Sequence, residues 1–395
     1  MDHHPVLWLL IAAVAAPLLG QVPLGFRMPV VVIEVMLGIV IGPHVLAFVH
    51  FDGLIAIMFA YAMATTLFMA GMELDFSEIK GRPLSLAVAG WGVSLMLGII
   101  VVGIFHLIPL VHAPMMVTLA LCTTGLGVLI PIFRDGGQLQ TQFGRLMIAA
   151  GTIGEVGPIV AMSLLLSQQY STWQEVGFLL AFLAIVGIAA AVSAGARPPG
   201  VLEFLSRQMH ASTQLPVRLS LLMLVALLVL AESFGFERIF GAFAAGMIVG
   251  MATRGEDGKP LRAKIDAVFF GWFYPFFFVG TGVKFDITAL GNDLTTMLLV
   301  PTFLILLLAI RGVPVWLYRK DIARAQHLPF ALCSAVPSFS IIVVITEIGL
   351  RAKTINPDIA AALIGAALLA VLLFPTIAGA LLRGTAATVS SARMP

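Results

Sequence analysis

Thirteen apolar stretches, each near the roughly 17–25 residues that a helix needs to cross a bilayer, follow one another along the chain. A backbone passing through lipid must satisfy its own N–H and C=O groups, which leaves only helices or closed barrels. The length of the stretches selects helices. The sequence therefore predicts an all-α polytopic membrane protein of about 13 transmembrane helices, centred in 6–21, 28–49, 54–72, 84–105, 113–133, 144–167, 176–196, 216–232, 237–253, 265–282, 294–316, 327–349 and 359–382. Composition agrees: 60% of residues are hydrophobic and 11% charged, and the mean hydropathy is +1.06. The first residues, Met1-Asp2-His3-His4-Pro5, carry no basic n-region or cleavage site, so the first span is expected to be retained.

Basic residues set the expected orientation. Seventeen of the 22 Lys and Arg residues fall after odd-numbered stretches or in the C-terminal tail, while Arg238, Lys284, Arg351 and Lys353 follow even-numbered ones. An odd number of crossings follows, in the plasma (inner) membrane, with the N-terminus outside and the C-terminus cytoplasmic. The connection after Arg197 separates a first half, 1–196, from a second, 216–395. Between them, 197–215 is expected to form a cytoplasmic linker helix, because Leu202, Leu205 and Met209 recur at helical spacing around Glu203 and Arg207. The whole of 1–395 is expected to be one transmembrane domain without a soluble regulatory domain.

Two stretches contain helix breakers. Ala120-Leu121-Cys122-Thr123-Thr124-Gly125-Leu126-Gly127 aligns with Ala331-Leu332-Cys333-Ser334-Ala335-Val336-Pro337-Ser338 at an offset of 211. Glycines interrupt one and Pro337 the other. Because the fifth span and the twelfth run in opposite directions, the halves read as inverted repeats with two broken, crossing helices. Paired interrupted segments are the sequence pointer to a transport site.

Glu155, in Gly151-Thr152-Ile153-Gly154-Glu155-Val156-Gly157-Pro158, is the only charge between Leu146 and Leu166. A carboxylate inside a membrane span is costly, and its default reading is functional. Carbonyls freed at the breaks, and the hydroxyls of Thr123, Thr124, Ser334 and Ser338, would supply oxygen ligands to a small hard cation, with Glu155 as the anion. A proton and a monovalent cation would then compete for one carboxylate, which is antiport in its simplest form. The plainer alternative is a structural acid paired with a base.

Arg311 is the one base deep within a span. A guanidinium does not shed its proton, so it reads as a charge balancer, facing Glu155, another acid or the C-terminal ends of broken helices. Glu34 is a secondary candidate, most simply a packing acid. Glu232 and Glu347 lie near span ends and are expected to reach water. Gly246-Met247-Ile248-Val249-Gly250 reads as a packing motif. Cys122 and Cys333 read as small apolar residues, and no His/Cys spacing supports a metalloenzyme. A net charge of +2 without a basic stripe argues against nucleic acid; lipid and monovalent cations are the partners expected.

These residues resemble the bacterial monovalent cation:proton antiporters of the second branch, the Kef-type potassium efflux systems and related sodium/proton exchangers. The similarity runs along the chain through Glu34-Val35-Met36-Leu37-Gly38 to Gly42-Pro43, Phe68-Met69-Ala70-Gly71-Met72-Glu73-Leu74-Asp75, the Thr123-Thr124 break, Arg134-Asp135-Gly136-Gly137, Gly241 to Gly246, Pro275 to Gly280 and Thr346-Glu347-Ile348-Gly349. The resemblance implies a homodimer, in which a core carrying both broken helices moves the site across the membrane. It also implies that Glu155 is the ion carboxylate and Arg311 the family's basic residue. Where the family has an Asn-Asp, Asp-Asp or Gln-Asp pair, this chain has Gly154-Glu155. A single acid implies electroneutral one-for-one exchange of sodium, or potassium, for protons, with no cofactor beyond the transported ions. The nucleotide-sensing domain of Kef-type proteins is not expected here unless a separate regulatory subunit supplies it. Two rivals are a sodium-coupled carrier of an organic anion and a channel-like or sensory membrane subunit. An enzyme has no nucleophile and base to stand on.

Overall fold

The computed structural model describes residues 4–21, 28–74, 79–107, 114–135, 137–166, 213–253, 258–288 and 294–391, with 177, 184 and 187 besides. All regular secondary structure among the described residues is helical, without a strand. In chain order the helices are α1 (His4–Leu19), α2 (Val30–Ile41), α3 (Gly53–Glu73), α4 (Arg82–Leu107), α5 (Pro114–Leu121), α6 (Leu126–Asp135), α7 (Gln142–Leu166), α8 (Leu215–Ser233), α9 (Arg238–Ala252) and α10 (Lys259–Val268). A π-turn at Phe269–Phe273 joins α10 to α11 (Tyr274–Lys284), and α12 (Leu294–Gly312), α13 (His327–Ser334), α14 (Phe339–Arg351) and α15 (Pro357–Ser391) complete the set.

Among the described residues, nine helical segments are long and apolar enough to cross a bilayer, and α1, α2 and α9 are shorter apolar helices. Together these fall on every stretch read from the sequence except 176–196. That stretch and the linker helix at 197–215 lie almost wholly outside the described residues.

The chain divides into two compact units, each drawing on both sequence halves. The first comprises residues 1–13, 50–75 and 159–280. Within it α3 packs closely on α9, and α9 on α8. A side chain at Gly246 would run into the Phe68 carbonyl, and one at Gly250 would come within 2.7 Å of the Met72 carbonyl. The Gly-x-x-x-Gly spacing thus works as packing, letting two backbones touch.

The second unit comprises 14–49, 76–158 and 281–395, and it holds both interrupted helices. Here α15 runs along α12, α13 and α14, while α4 packs on α5. Outside the spans, Arg82 forks onto Asp321, Nε to Oδ1 at 2.7 Å and Nη2 to Oδ2 at 2.9 Å. Those bonds hold the Asp321 carboxyl below the usual carboxylate range.

The interruptions fall where breakers were read, with one correction of register. The first helix stops at Leu121 and restarts at Leu126; the second stops at Ser334 and restarts at Phe339. Structural equivalence is therefore two residues beyond the 211 offset. The identical Ala-Leu-Cys triplets drew the sequence register, whereas Pro337 sets the physical one, because its missing N–H and its ring stop a helix at the residues before it.

Candidate functional site

The site is built on a carbonyl that a proline frees. In α7 the carbonyl of Gly154 would ordinarily accept from residue 158, but Pro158 has no N–H to give. The N–H of Thr124, itself released by the first break, takes that carbonyl at 3.1 Å. The break continues outward from there. Gly125 N donates to Val336 O of the second break at 2.9 Å, and Leu126 N, the first residue of α6, donates to Glu155 Oε1 at 2.9 Å. A methyl group on Gly125 would come within 2.7 Å of the Pro337 carbonyl, so only glycine lets the two breaks cross this closely.

Glu155 is 3% exposed. Its carboxylate faces the N-terminus of α6, where unsatisfied N–H groups and the helix dipole favour negative charge. Arg311, near the end of α12, is 4% exposed. Its hydrogen bonds run to hydroxyls and carbonyls rather than to a carboxylate. Nε and Nη2 donate to Thr124 Oγ1 at 2.9 and 2.6 Å, Nη1 to Ser94 Oγ at 3.2 Å, Nη2 to Ala150 O at 3.3 Å and Nε to Ser334 O at 3.4 Å. Ser334 is the last residue of α13. Of the counter-charges open to Arg311 in the sequence, the C-terminal end of a broken helix is the one these bonds reach.

Thr124 therefore stands at the centre. Its hydroxyl accepts from Arg311 twice and donates to Ser334 O at 2.6 Å. Thr123 is also fully buried, and its hydroxyl donates to Ala120 O at 2.9 Å, leaving the oxygen lone pairs unused by that bond. Ser334 Oγ lies 3.7 Å from Met147 Sδ. Ser338 is buried just before α14 and makes no capping bond through its side chain. All five sequence-read ligands, with Arg311, belong to the second unit.

Glu34 is buried on α2 in the same unit, and none of the hydrogen bonds across the crossing reaches it. Glu347 departs from expectation. It is 8% exposed rather than open to water, ion-paired with Lys284 and with Arg351 Nε at 2.9 Å, because α11 and α14 bring two bases to it. Glu232 stays exposed, 3.5 Å from Arg238. Cys122 and Cys333 are buried free thiols.

Ser94 and the carbonyl of Ala150 were not foreseen. A lone serine in an apolar span usually bonds its own helix's i−4 carbonyl, so nothing in the sequence marks Ser94 as an arginine partner.

A family model for the transmembrane sodium/hydrogen exchanger matches residues 9–384. The chain belongs to the sodium/hydrogen exchanger family. It is an integral membrane protein of a transporter family. It is 26% identical over 397 residues to the putative Na(+)/H(+) antiporter YjbQ of Bacillus subtilis, a match covering 95% of this chain and 63% of that protein. The chain thus spans less than two thirds of that relative's length. It is also 26% identical over 288 residues to the Na(+)/H(+)-K(+) antiporter GerN of Bacillus cereus, covering 70% of each. The fold is that of the sodium proton antiporter MjNhaP1 from Methanocaldococcus jannaschii solved at pH 8, with a TM-score of 0.66, 17% identity and coverage of 96% and 97%.

Proposed function

We propose that the protein is a secondary antiporter exchanging a monovalent cation for protons, with Glu155 the carboxylate that both ligands share. The observation that carries this reading is the position of Glu155: buried, at the positive end of a half-helix, where two interrupted helices cross. Family membership and the names of the relatives support sodium as the first cation, and the Bacillus cereus relative's name supports potassium as the second. Thr123 and the freed carbonyls complete the cation's oxygen shell, with Ser334 and Ser338 from the second break and Thr124 when Arg311 releases it. Arg311 balances the charge.

The exchange is electroneutral, since one carboxylate carries either one proton or one cation. Alternating access moves the core bearing both breaks. The thirteen-span topology, outside N-terminus, plasma-membrane location and homodimer belong to the same reading. Reconstituted protein should dissipate an imposed pH gradient on addition of sodium, and less with potassium, whether or not the membrane potential is clamped. No dissipation with sodium, potassium or lithium would overturn the reading, and cation flux without proton counterflow would replace it with a channel.

A further inference from the structure

The Thr124 hydroxyl has one proton and two lone pairs. In this structure the proton goes to Ser334 O, and the lone pairs take Arg311 Nε and Nη2. Nothing is left for a cation. The guanidinium reaches this position because residue 154 has no side chain: a methyl group there would come within 2.9 Å of Arg311 Nη2 and of Thr124 Oγ1, and within 2.8 Å of Thr124 Cβ. Gly154 is thus the floor on which the arginine fork rests.

A small cavity of about 10 Å³, room for about one water, lies beside the guanidinium, lined among others by Gly90, Trp91, Pro314, Tyr318 and Ser334. Two of these are aromatic rings, whose faces attract a guanidinium. Each of these groups lies in the unit that holds the crossing.

We propose that Arg311 and the transported cation compete for one ligand, the Thr124 hydroxyl, and that Gly154 sets the outcome by giving the guanidinium its seat. The inference rests on the antiport reading and deepens it. When a cation arrives at Glu155, one residue along α7, it places a second positive charge beside the fork. The guanidinium gives up the hydroxyl, and Thr124 turns from an arginine acceptor into a cation ligand. When a proton replaces the cation, Arg311 returns. Position 154 is then a specificity-determining position for cation affinity, acting through the arginine and not by touching the ion. A chain that keeps Gly154 binds its cation against an internal rival.

The test is a double-mutant cycle on the full chain in liposomes, reading the half-saturating sodium concentration and, separately, sodium-dependent thermal stabilisation. Gly154→Ala crowds the seat and should lower the half-saturating concentration about tenfold, the worth of one hydrogen-bond-strength contact to a charge. Arg311→Lys retains the charge without the fork and should move it in the same direction; it serves if the alanine variant does not fold. Adding Thr124→Val to either should cancel the gain. Unchanged half-saturation in both single variants, with exchange still dependent on Glu155, overturns the competition and leaves antiport standing. A gain that persists with Thr124→Val also overturns it, because the affinity would not come from that hydroxyl. Absence of exchange in the wild type is the separate failure of the antiport reading.

Discussion

Across the crossing the first break, at 122–125, gives hydrogen bonds, and the second, at 335–338 with Ser334 before it, receives them. Thr124, Gly125 and Leu126 donate their N–H groups to Gly154 O, Val336 O and Glu155, and the Thr124 hydroxyl donates to Ser334 O. Opposite them, Ser334 and Val336 offer carbonyls, and Pro337 has no N–H to offer. Two segments that repeat each other in sequence therefore carry opposite partial charge where they meet. The acid sits at the N-terminus of α6 in the first break, and the base bridges Ser334 O at the C-terminal end of α13 and the Thr124 hydroxyl of the first break. An inverted repeat is thus a repeat of path, and its chemistry is antisymmetric. That antisymmetry gives the buried carboxylate the N–H groups of one break and the buried guanidinium the oxygens of both.

The largest effect should come from removing the acid at the donor break. Glu155→Gln keeps the shape and loses the exchangeable charge, so sodium-driven proton movement should vanish while the detergent-purified protein stays folded and monodisperse. Full activity in that variant would sink the assignment. Glu155→Asp should retain some exchange with altered apparent affinity, since the carboxylate is set back by one methylene.

Next comes the base that bridges the two breaks. Arg311→Ala leaves Thr124 Oγ1 and Ser94 Oγ without the arginine's N–H groups in a buried site, at a cost of about 1–3 kcal/mol for each group left unsatisfied. Thermal unfolding should fall steeply. Wild-type stability in this variant would mean that the guanidinium is solvated and contributes no anchor to the crossing.

Much of this arrangement was legible in the chain. Glu155 and Arg311 stand out because charge is rare in apolar spans, and glycine and proline announce a break whatever surrounds them. The spans follow from length and hydropathy, which depend on no neighbour. What stayed hidden depends on three-dimensional partners. Pro158 frees the Gly154 carbonyl, but only the fold shows that Thr124 takes it. Ser94 looks like any serine on an apolar helix until α4 lies beside Arg311. Glu347 lies near a helix end and so reads as water-facing, yet it is buried and ion-paired with Lys284, which arrives from a distant part of the sequence. Gly154 reads as the absence of a family side chain, and the structure turns that absence into room for an arginine.

A smaller effect separates the two breaks from each other. Gly125→Ala sets a methyl group against the Pro337 carbonyl, which is backbone and cannot turn aside. The crossing must open, at about 1–3 kcal/mol of stability, with a slower exchange rate measured in the same liposomes. Pro337→Ala leaves the accepting carbonyls in place and should cost less. If the proline variant proved the more damaging, the acceptor break would depend on its rigidity and not on its carbonyls, and the contrast between the breaks would need redrawing.

The smallest effect expected is none, and it bears on stoichiometry. The crossing holds one acid, and the second break contributes only neutral groups to it. Each half-cycle then moves one proton or one monovalent cation on Glu155, while the charge of Arg311 stays fixed, so the loaded core bears the same charge both ways. Activity should peak where neither ligand monopolises the carboxylate. Glu34, buried on α2 and outside the hydrogen bonds of the crossing, should be a spectator. Glu34→Gln is therefore expected to leave the exchange rate and the half-saturating sodium concentration unchanged. Solid-supported-membrane recordings on a sodium or potassium jump should show no sustained charge movement in either protein, although a pH dye reports exchange. A steady current in the wild type that disappears in Glu34→Gln would make Glu34 a second titrating group. The donor break would then no longer be the sole seat of proton chemistry.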